Sequence, residues 1–498
     1  METIAQQNYD LFINGQCRSS AQGRYFPSIN PSTGEVWAYA ADAQMDDLQA
    51  AVSSAREAFD QDGWSSLGIR ERGQYLHNIA RLIREDAKRL AELECLDTGK
   101  TIKQTTFIDV PTAADTFEYF GSVGEQLKGS INPVPAPVKS FTEREPMGVV
   151  GCIIPFNYPL IMAAWKMAPA LIAGNTVILK PSPLASVSVM RLAQLMQEAG
   201  LPSGVVNIIS SQGHELSAEL VKSPQVDMIS FTGSTQTGKT VMHLAAETAK
   251  KIILELGGKS PTIVFSDCDL ETAVGGTMSA IFMNQGQMCT AGARLLLEDK
   301  IYDRFLEMLV EKTKKLTIGP AMSYATDFGP VISQEHRDHI LAWIQNGATQ
   351  GARLVCGGKI PVGEDFKNGF YIAPTILDNV DPKIEIVREE IFGPVLCVMK
   401  FFDYKEAITL ANDSSYGLAA SVWTKDLVKA HVIAKKLRCG TVWINTYGGF
   451  YNEASFGGCR QSGFGRELGR EGLWEYMVTK HVCIDMTPGG RPLVANWF

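Results

Sequence analysis

One cysteine of this 498-residue sequence lies in a setting that suits a chemical nucleophile. Cys289 stands in the stretch NQGQMCTAGARLLLE, beside glycines and glutamines rather than within an apolar pattern. Such a setting permits access to the sulfur and formation of the thiolate, which is the reactive form of cysteine. Most cysteines in a chain of this kind are small buried apolar side chains, and none of the other cysteines has a comparable setting. Cys289 is therefore a candidate nucleophile.

Two further residues have the chemistry to assist a nucleophile. Glu255 precedes a Gly-Gly pair in LELGGKSP, and a carboxyl group in an apolar setting can act as a general base with a raised pKa. Asn157 lies between two prolines in IIPFNYP, where its side-chain amide could donate to a developing oxyanion. Taken one at a time, a solvated glutamate at a strand end and a turn-forming asparagine are the commoner explanations.

A phosphate-binding motif suggests a different chemistry. GSTQTGKT, from Gly233 to Thr240, fits the pattern G-x-x-x-x-G-K-S/T, follows the apparent strand VDMISFT and opens a helix. The apolar run TIVFSD, ending in Asp267, could supply the acidic strand of a P-loop ATPase or kinase. A dinucleotide site is equally compatible, because backbone N–H groups and the helix dipole hold any pyrophosphate. This motif alone leaves three hypotheses open: an NTPase, a dinucleotide site, and a turn that binds no phosphate.

Composition favours small-molecule chemistry. A formal net charge of −8 without long single-sign runs provides no basic surface for nucleic acid or an anionic membrane. The ten cysteines form no C-x-x-C pair, so we expect neither a metal site nor a disulfide framework, but reduced thiols in the cytoplasm. The N-terminal segment METIAQQNYDLF lacks the pattern of a signal peptide. The apolar stretch 148–174 is interrupted by three prolines and Lys166, which predicts a buried strand, a loop and a buried helix.

The order of apolar patterns predicts an α/β protein. Strands and helices alternate from 148 to 267, beginning with VVGCII and ending with TIVFSD, which is typical of a parallel, doubly wound sheet. A second alternating block from about 295 to 445 runs from RLLLE to TVWIN. Near the N-terminus, the Asn-Gly pair of LFINGQCRSS predicts a hairpin. DDLQAAVSSAREAFD and REDAKRLAELECLDTGK predict helices, the second ending at Gly99.

Together, the motifs resemble those of the aldehyde dehydrogenase superfamily, from the first helices to about residue 480. The matching segments follow the family's order and its long gaps: PFNYP, LKPS, FTGST, LELGGKSP, GQMCTAG, EEIFGPVL and GCRQSGFGREL. In this family the FTGST turn faces the cofactor pyrophosphate, so the resemblance makes the P-loop match accidental. A cysteine hydrolase, a third hypothesis, would need a histidine base. None of the seven histidines lies in a recognisable motif, and His336 and His339 are expected on one polar helix face.

The resemblance implies a mechanism for oxidising an aldehyde to a carboxylic acid. The Cys289 thiolate would attack the carbonyl carbon, and the Asn157 amide and the Cys289 backbone N–H would hold the oxyanion. Hydride would pass to the nicotinamide of NAD or NADP, leaving a thioester on Cys289. Water activated by Glu255 would then hydrolyse the thioester.

The resemblance also implies the cofactor contacts, which fall on Ile154, Phe156, Lys180, Gly233, Ser234, Glu390 and Phe392. Lys180 is expected at the adenosine ribose, Gly233 and Ser234 at the pyrophosphate, and Glu390 at the nicotinamide ribose. The sequence departs from many NAD-selective relatives at Pro183, where those relatives carry a glutamate that binds the ribose hydroxyls. We therefore expect poor discrimination between NAD and NADP.

The acyl pocket implied by the resemblance is an aromatic and thioether wall without a fixed charge. It is expected to be formed by Tyr158, Met162, Trp165, Met283, Phe450 and Phe456. Such a wall favours apolar, aromatic or medium-chain aldehydes. A quaternary ammonium substrate such as betaine aldehyde is the alternative, because aromatic faces also bind cations.

The implied fold has a doubly wound dinucleotide-binding domain, an α/β catalytic domain and a small β oligomerisation element. The dinucleotide-binding domain is predicted at 1–122 and 146–257, and the catalytic domain at 258–476. The Pro-rich segment SINPVPAPVKS and the tail DMTPGGRPLVANWF belong to neither core pattern, so the oligomerisation element is predicted at 123–145 and 477–498. A homodimer or homotetramer is the expected assembly.

Overall fold

The computed structural model describes residues 7–61, 63–124 and 127–489. Its strands are β1 (Gln7–Tyr9), β2 (Leu11–Ile13), β3 (Gln16–Arg18), β4 (Tyr25–Asn30), β5 (Glu35–Ala41), β6 (Ser130–Asn132), β7 (Val138–Pro146), β8 (Val149–Ile153), β9 (Thr176–Lys180), β10 (Val206–Ile208), β11 (Met228–Thr232), β12 (Lys251–Glu255), β13 (Pro261–Val264), β14 (Arg294–Glu298), β15 (Arg353–Cys356), β16 (Thr375–Asp378), β17 (Val395–Phe401), β18 (Ala419–Trp423), β19 (Thr441–Ile444), β20 (Gly463–Phe464) and β21 (Met477–Asp485).

The helices are α1 (Met45–Asp60), α2 (Ile69–Glu85), α3 (Ala87–Thr98), α4 (Ile102–Gln104), α5 (Val110–Val123), α6 (Pro159–Ile172), α7 (Val187–Glu198), α8 (Glu215–Lys222), α9 (Thr235–Ala246), α10 (Leu270–Phe282), α11 (Tyr302–Lys314), α12 (Gln334–Thr349), α13 (Glu385–Arg388), α14 (Tyr404–Asn412), α15 (Leu427–Lys436) and α16 (Gly469–Glu475). A single π-helical turn, Thr105–Asp109, joins α4 to α5. None of the helices in the described ranges is both long and apolar enough to cross a membrane.

Local turn chemistry in the N-terminal part follows the predictions. The Asn14–Gly15 turn joins β2 to β3, with φ of 53° and 76°, as a two-residue hairpin turn with both central residues at positive φ requires. Gly99 ends α3 with φ of 76°, a left-handed conformation that glycine adopts without steric penalty. Both predictions are confirmed.

The larger sheet is doubly wound, as predicted. Its order is β20-β12-β11-β8-β9-β10-β2-β3, and the five strands from β12 to β10 run parallel. The chain leaves β8 through α6 toward β9 on one side, and leaves β11 through α9 toward β12 on the other. Sheets of this kind bind ligands in the crevice beyond the carboxyl ends at such a reversal. The edge strands β20, β2 and β3 are antiparallel, which the strand–helix alternation did not predict.

The apolar stretch 148–174 folds as predicted, into β8, a loop and α6. Every residue of β8 is buried, and so is almost every residue of α6. A helix that is apolar on all sides belongs inside a protein core, where α6 packs against α5, α2 and α7. This buried helix holds the end of the loop after β8 in place.

The second sheet has the order β15-β16-β17-β14-β13-β18-β19, and only β15 pairs antiparallel to its neighbour. The strand–helix alternation placed TIVFSD in the first block, which was wrong, because β13 lies between β14 and β18; the domain boundary at 258 that the resemblance implied places it with the second sheet. An apolar strand pattern shows burial but does not show which sheet the strand joins. Along β14, Leu296 packs on one face, and Leu295 and Leu297 pack on the other, which gives a core on each side.

A third, antiparallel sheet of three strands has the order β21-β7-β6. β21 and β7 pair over nine positions, from Met477 opposite Pro146 to Asp485 opposite Val138. The predicted arm segments therefore pair with each other, and β21 has no partner strand on its outer side within the described residues. The end of the predicted C-terminal segment, 490–498, lies outside the described residues.

Candidate active site

The candidate residues of the first sheet lie together at the carboxyl ends of its parallel strands. Ile154 and Asn157 follow β8, Lys180 ends β9, Gly233 follows β11, and Glu255 ends β12. Because these strands are neighbours and parallel, their carboxyl ends share one edge of the sheet. Residues from four separate motifs are thus brought to one crevice.

Cys289 follows α10 and a turn of unusual backbone conformation, which together position its side chain. Asn284 and Gln285 have φ of 49° and 53°, and Gly286 follows with φ of 71°. Residues with a side chain rarely adopt a left-handed backbone conformation, so contacts with the surrounding structure must stabilise this turn. The side chain of Asn284 does so by donating from Nδ2 to the Asn157 carbonyl at 3.1 Å and to the Gln287 carbonyl at 3.3 Å. The position of the sulfur is therefore tied to the loop after β8.

Asn157 has a hydrogen bond that the sequence did not predict. Its Nδ2 donates to the Gln287 carbonyl at 2.7 Å, and its Oδ1 has no partner among the described residues. A side-chain amide carries two N–H groups, so one donor remains after this bond is made. The bond fixes the orientation of the amide next to the Cys289 loop.

The Cys289 thiol is held in its neutral form by its surroundings. Burial, with the nearby carboxyl groups of Glu390 and Glu255, raises the pKa of the Cys289 thiol to about 12. The backbone N–H groups of Thr290 and Cys289 itself act in the opposite direction, because they donate toward the sulfur. Formation of a thiolate here therefore needs a nearby group that takes the proton.

Glu255 is a buried carboxyl group on the same side of the sheet. Both of its oxygens are inaccessible to solvent, and neither is hydrogen bonded to a side chain in the described residues. Burial raises its pKa well above the ordinary value, as does the Glu467 carboxyl group, whereas Lys166 lowers it. Lys166 Nζ is paired with Glu467 Oε1 at 2.6 Å. Glu255 is therefore a carboxyl group that binds a proton readily.

The candidate nucleophile and the candidate base face a common cavity of about 200 Å³. Cys289 and Glu255 both line it, and so do all six residues of the predicted acyl pocket. Those six are Tyr158, Met162, Trp165, Met283, Phe450 and Phe456. The rings of Trp165, Phe450 and Phe456 contact one another, with centroids 5.3 to 5.8 Å apart. The arrangement can hold a small apolar or cationic group beside a thiol and a carboxyl group.

Lys180, at the end of β9, is a buried ammonium group with few partners. Its Nζ donates to the carbonyls of Pro181 and Ser211 at 3.3 and 3.5 Å. Burial lowers the pKa of Lys180 to about 8, against an opposing effect of Asp42. A ligand oxygen at this position would supply the hydrogen-bond acceptor that the ammonium group lacks.

Glu390 approaches the backbone between the two sheets. Its Oε1 accepts from the backbone N–H of Gly258 at 3.1 Å, and its Oε2 occupies the space where a Cβ on Gly257 would lie. A Cβ on Gly258 would overlap the Cys289 carbonyl oxygen. Burial raises the pKa of Glu390 to about 7. The Gly-Gly pair of LELGGKSP is therefore required by close packing against both residues.

His336 lies closer to the cofactor candidates than the sequence predicted. Its ring is 6.1 Å from the Phe156 ring and 6.2 Å from the Phe392 ring, and its Nε2 contacts the Phe392 carbonyl at 2.8 Å. The rings of His336 and His339 stack with centroids 6.4 Å apart, so the two residues share one helix face as predicted, but that face is not only polar, since His336 packs against aromatic rings and burial lowers its pKa. Its position at the start of α12 was the available signal, because helix N-termini commonly border ligands.

The structure does not support a P-loop. Ser234 caps α9, whose helical residues begin at Thr235, so the backbone between Gly233 and Gly238 does not form the open loop that surrounds phosphates. Asp267 instead accepts from Thr424 Oγ1 and pairs with Lys429 at 3.2 Å. Across the described ranges, no group of three or more His, Cys, Asp and Glu side chains is placed to hold a metal ion.

The α/β architecture thus brings a cysteine and a buried glutamate into one cavity, beside a crevice of the type in which doubly wound sheets bind ligands. The chain belongs to the aldehyde dehydrogenase family, whose model matches residues 18–482. It is 45% identical to betaine aldehyde dehydrogenase of Bacillus subtilis, covering 98% of this chain and 99% of that protein. It is 43% identical to retinaldehyde dehydrogenase 3 of Mus musculus, covering 96% and 93%.

Comparison with solved structures supports the same fold. A crystal structure of betaine aldehyde dehydrogenase from Staphylococcus aureus in complex with NAD+ has a TM-score of 0.96 at 40% identity. The match covers 98% of this chain and 97% of that one. The predicted family, the fold class and the general activity, oxidation of an aldehyde, are confirmed.

Replacing Gly257 by alanine should displace Glu390 without unfolding the protein. We expect Gly257→Ala to raise the dissociation constant of NAD at least tenfold, measured by fluorescence titration, with little change in melting temperature. Gly275→Ala is the matched control, because a Cβ at Gly275 meets nothing within 4 Å. Unchanged cofactor affinity in Gly257→Ala would show that Glu390 can move freely.

Proposed function

We propose that the protein oxidises an aldehyde to its carboxylic acid with NAD or NADP, with Cys289 as nucleophile, Glu255 as base and Asn157 as oxyanion donor. The observation that carries this proposal is the single cavity lined by both Cys289 and Glu255, with the Asn157 amide anchored beside it. Each of these residues was a weak candidate alone. Their convergence from different motifs is what favours covalent catalysis.

The first step uses the unusual protonation of the site. Two carboxyl groups line the cavity, and Glu467 is paired with Lys166, so we assign to Glu255, whose pKa burial raises well above the ordinary value, the role of taking the proton of the Cys289 thiol in its ionised form. The thiolate then attacks the carbonyl carbon, and the oxygen becomes an oxyanion. The free N–H of the Asn157 amide and the backbone N–H of Cys289 hold that charge in a poorly hydrated site.

The second step breaks the carbon–hydrogen bond. The bound cofactor supplies a nicotinamide ring that accepts the hydride. Cys289 then carries a thioester, whose carbonyl stays between the same two donors. Glu255 releases the thiol proton to solvent and then takes a proton from water, the hydroxide attacks the thioester, and the acid leaves as the Cys289 thiolate is released. A thiol suits both half-reactions, since sulfur adds readily to a carbonyl carbon and also leaves an acyl group readily.

The residues beyond the parallel strands fit a dinucleotide. Lys180 would hold the ribose hydroxyls at the adenosine end, and the N-terminus of α9, with Gly233 and Ser234, would face the pyrophosphate. Glu390 would hold the nicotinamide ribose. The ammonium group of Lys180 supports this fit, because its hydrogen bonds to the carbonyls of Pro181 and Ser211 are long and leave it able to bind a ligand oxygen. Phe156 and Phe392, whose ring centroids are 5.6 Å apart, would border the same crevice, together with Ile154.

We propose the domain division that the sheets suggest. Strands β2, β3 and β8 to β12 with α1 to α9 would form the cofactor domain, at 1–122 and 146–257, and the seven-stranded sheet the catalytic domain, at 258–476, which also contributes the edge strand β20 to the first sheet. The β21-β7-β6 sheet would form the oligomerisation element. The outer edge of β21 and the exposed side chains of Ile131 and Ile484 support assembly into a homodimer or homotetramer through this element.

The substrate that we propose is an aldehyde with a compact quaternary ammonium group, such as betaine aldehyde. A cavity of 150 Å³ holds benzene, so about 200 Å³ suits a small acyl group rather than a long chain. The lining contains aromatic faces and the carboxyl groups of Glu255 and Glu467, but no lysine or arginine within the described residues. The second candidate, a compact neutral apolar aldehyde, is favoured by the Met162 and Met283 side chains.

We place the enzyme in the cytoplasm. All ten cysteines are free, including the exposed Cys17 and Cys483. A reducing compartment keeps such thiols, and the nucleophile among them, from oxidation.

The proposal is tested by following reduced nicotinamide with a panel of aldehydes, both cofactors, and the Cys289→Ala variant. We expect wild-type turnover with at least one small aldehyde, and loss of turnover in Cys289→Ala by more than about a thousandfold, with cofactor binding retained. Cys17→Ala is the control and should keep full activity, because Cys17 is exposed on β3, the edge strand of the eight-stranded sheet on the side away from β12 and Glu255. Near-normal turnover of Cys289→Ala would exclude the covalent mechanism.

Glu255→Gln separates the two half-reactions. Glutamine keeps the shape of the side chain but cannot take a proton, so deacylation should slow by two orders of magnitude or more. Intact-protein mass spectrometry should then show an acyl adduct after mixing with aldehyde and cofactor. Full activity without an adduct would mean that another group serves as the base.

Pro183→Glu tests cofactor choice. We expect wild type to use both cofactors, and the substitution to lower kcat/KM for NADP more than for NAD, because a carboxylate repels the 2′-phosphate. Burial lowers the pKa of Lys180 to about 8, so its charge is present below pH 8 and lost above it. NADP use should therefore decline relative to NAD as pH rises past 8. Rejection of NADP by more than about a thousandfold in wild type would contradict this account.

A further inference from the structure

Two buried clusters of the same composition border the substrate cavity. In one, Glu255 and Glu467 lie near Lys166, whose Nζ is 2.6 Å from Glu467 Oε1. In the other, Lys100 is paired with both Glu94 and Asp109. Each cluster thus contains two carboxyl groups and one ammonium group. The mechanism uses the first cluster and leaves the second without a role.

The second cluster is fully enclosed by protein. Lys100, Glu94 and Asp109 have side chains with no accessible surface. Lys100 Nζ is 2.9 Å from Glu94 Oε1, and its other ion-pair partner is Asp109. Ser188 Oγ donates to the second oxygen of Glu94 at 2.5 Å. Glu94 alone would balance the charge of Lys100, so Asp109 is the excess acid.

Tyr158 connects this cluster to the cavity. Its ring lines the cavity, while Lys100 Nζ lies 4.5 Å from the ring centroid. Gln104 Nε2 donates to the Tyr158 hydroxyl at 3.2 Å. The residue before Asp109, Ile108, also lines the cavity, at the π-helical turn Thr105–Asp109. The cluster therefore lies directly behind one wall of the substrate site.

The position of Lys100 alone would work against a cationic substrate. An ammonium group near the Tyr158 ring already uses the attraction of that ring for a positive charge. It would also repel a second cation in the cavity. When both carboxyl groups beside Lys100 are ionised, they reverse the sign of the field, because the cluster then carries a net negative charge in a poorly hydrated region. Asp109 decides that sign.

We propose that Asp109 is a specificity-determining residue that makes the cavity selective for aldehydes bearing a positive charge over neutral ones of the same shape. This inference rests on the proposed function, because it assumes that the cavity receives the substrate. It adds a role for a residue that does not line the cavity. Asp109 acts through the field behind Tyr158 and through its pairing with Lys100.

Binding of two isosteric alcohols tests the proposal without requiring catalysis. Choline and 3,3-dimethyl-1-butanol share a shape and differ by one positive charge. Calorimetry should be performed at pH 8, because burial raises the pKa of Asp109 to about 7 and the carboxyl group is mainly ionised above that value. We expect wild type to bind choline at least tenfold more tightly than the neutral alcohol, and Asp109→Asn to reduce this preference about tenfold.

Asp115→Asn is the matched control. Asp115 lies on α5, which follows Asp109 directly, and its exposed carboxyl group pairs with Arg84. This variant should keep the wild-type preference. The same comparison by kcat/KM should use betaine aldehyde and its neutral isostere 3,3-dimethylbutanal, with the change in Asp109→Asn appearing mainly in the KM of the cationic aldehyde.

Each outcome has a distinct meaning. A folded Asp109→Asn that keeps the wild-type preference, or that weakens both alcohols equally, overturns the proposal. If Asp109→Asn does not fold, a wild type that binds the neutral alcohol as tightly as choline overturns it instead. Absence of aldehyde oxidation together with the expected binding preference would contradict the proposed function and leave the charge argument supported.

Discussion

Two residues without side chains allow the parts of the site to meet. The chain passes from β12 of one sheet to β13 of the other through Gly257 and Gly258, where Glu390 and the Cys289 carbonyl lie against the backbone. Any side chain there would push apart the groups that must share the cavity. The base at the end of β12 and the nucleophile after α10 are therefore held at a fixed separation by close backbone packing. Accurate placement of this kind is what covalent catalysis requires.

Exclusion of water then determines the chemistry of these groups. Cys289, Glu255 and Glu390 have raised pKa values for the same reason, because their charged forms lose hydration when the protein surrounds them. A buried acid with a raised pKa is a better proton acceptor, while a buried thiol is a weaker acid. Because Glu255 and Cys289 lie in one cavity, the greater proton affinity of the carboxylate compensates for the weaker acidity of the thiol. The surrounding structure thereby favours the protonated form of the sulfur.

Sequence patterns predicted the parts of the fold that depend on neighbouring residues. The Asn14–Gly15 hairpin and the end of α3 at Gly99 follow from backbone preferences that act over two to four residues. The doubly wound sheet follows from the alternation of patterns. The assignment of β13 failed because strand pairing joins segments far apart in sequence, and burial alone does not identify the partner.

The site shows the same division between local and distant information. Cys289, Glu255 and Asn157 were found from motifs, and their meeting in space follows from the family resemblance. Lys100 and Asp109 belong to no motif that the sequence displays, since an isolated lysine and an isolated aspartate near helix ends are ordinarily solvated. Only the three-dimensional structure shows that both are buried and paired. The contact of His336 with Phe392 was missed for the same reason.

The left-handed turn before the nucleophile has a consequence for which sequences this fold tolerates. Asn284 and Gln285 adopt a backbone conformation that glycine and asparagine accept, that glutamine tolerates with strain, and that β-branched residues resist. Valine, isoleucine or threonine at either position would favour a right-handed or extended backbone and move the sulfur. The backbone conformation therefore restricts which residues this segment can carry, although neither residue lines the cavity. The non-glycine residues of the cavity wall have no such backbone requirement, so a change of side chain there can alter the accepted aldehyde and leave the backbone intact.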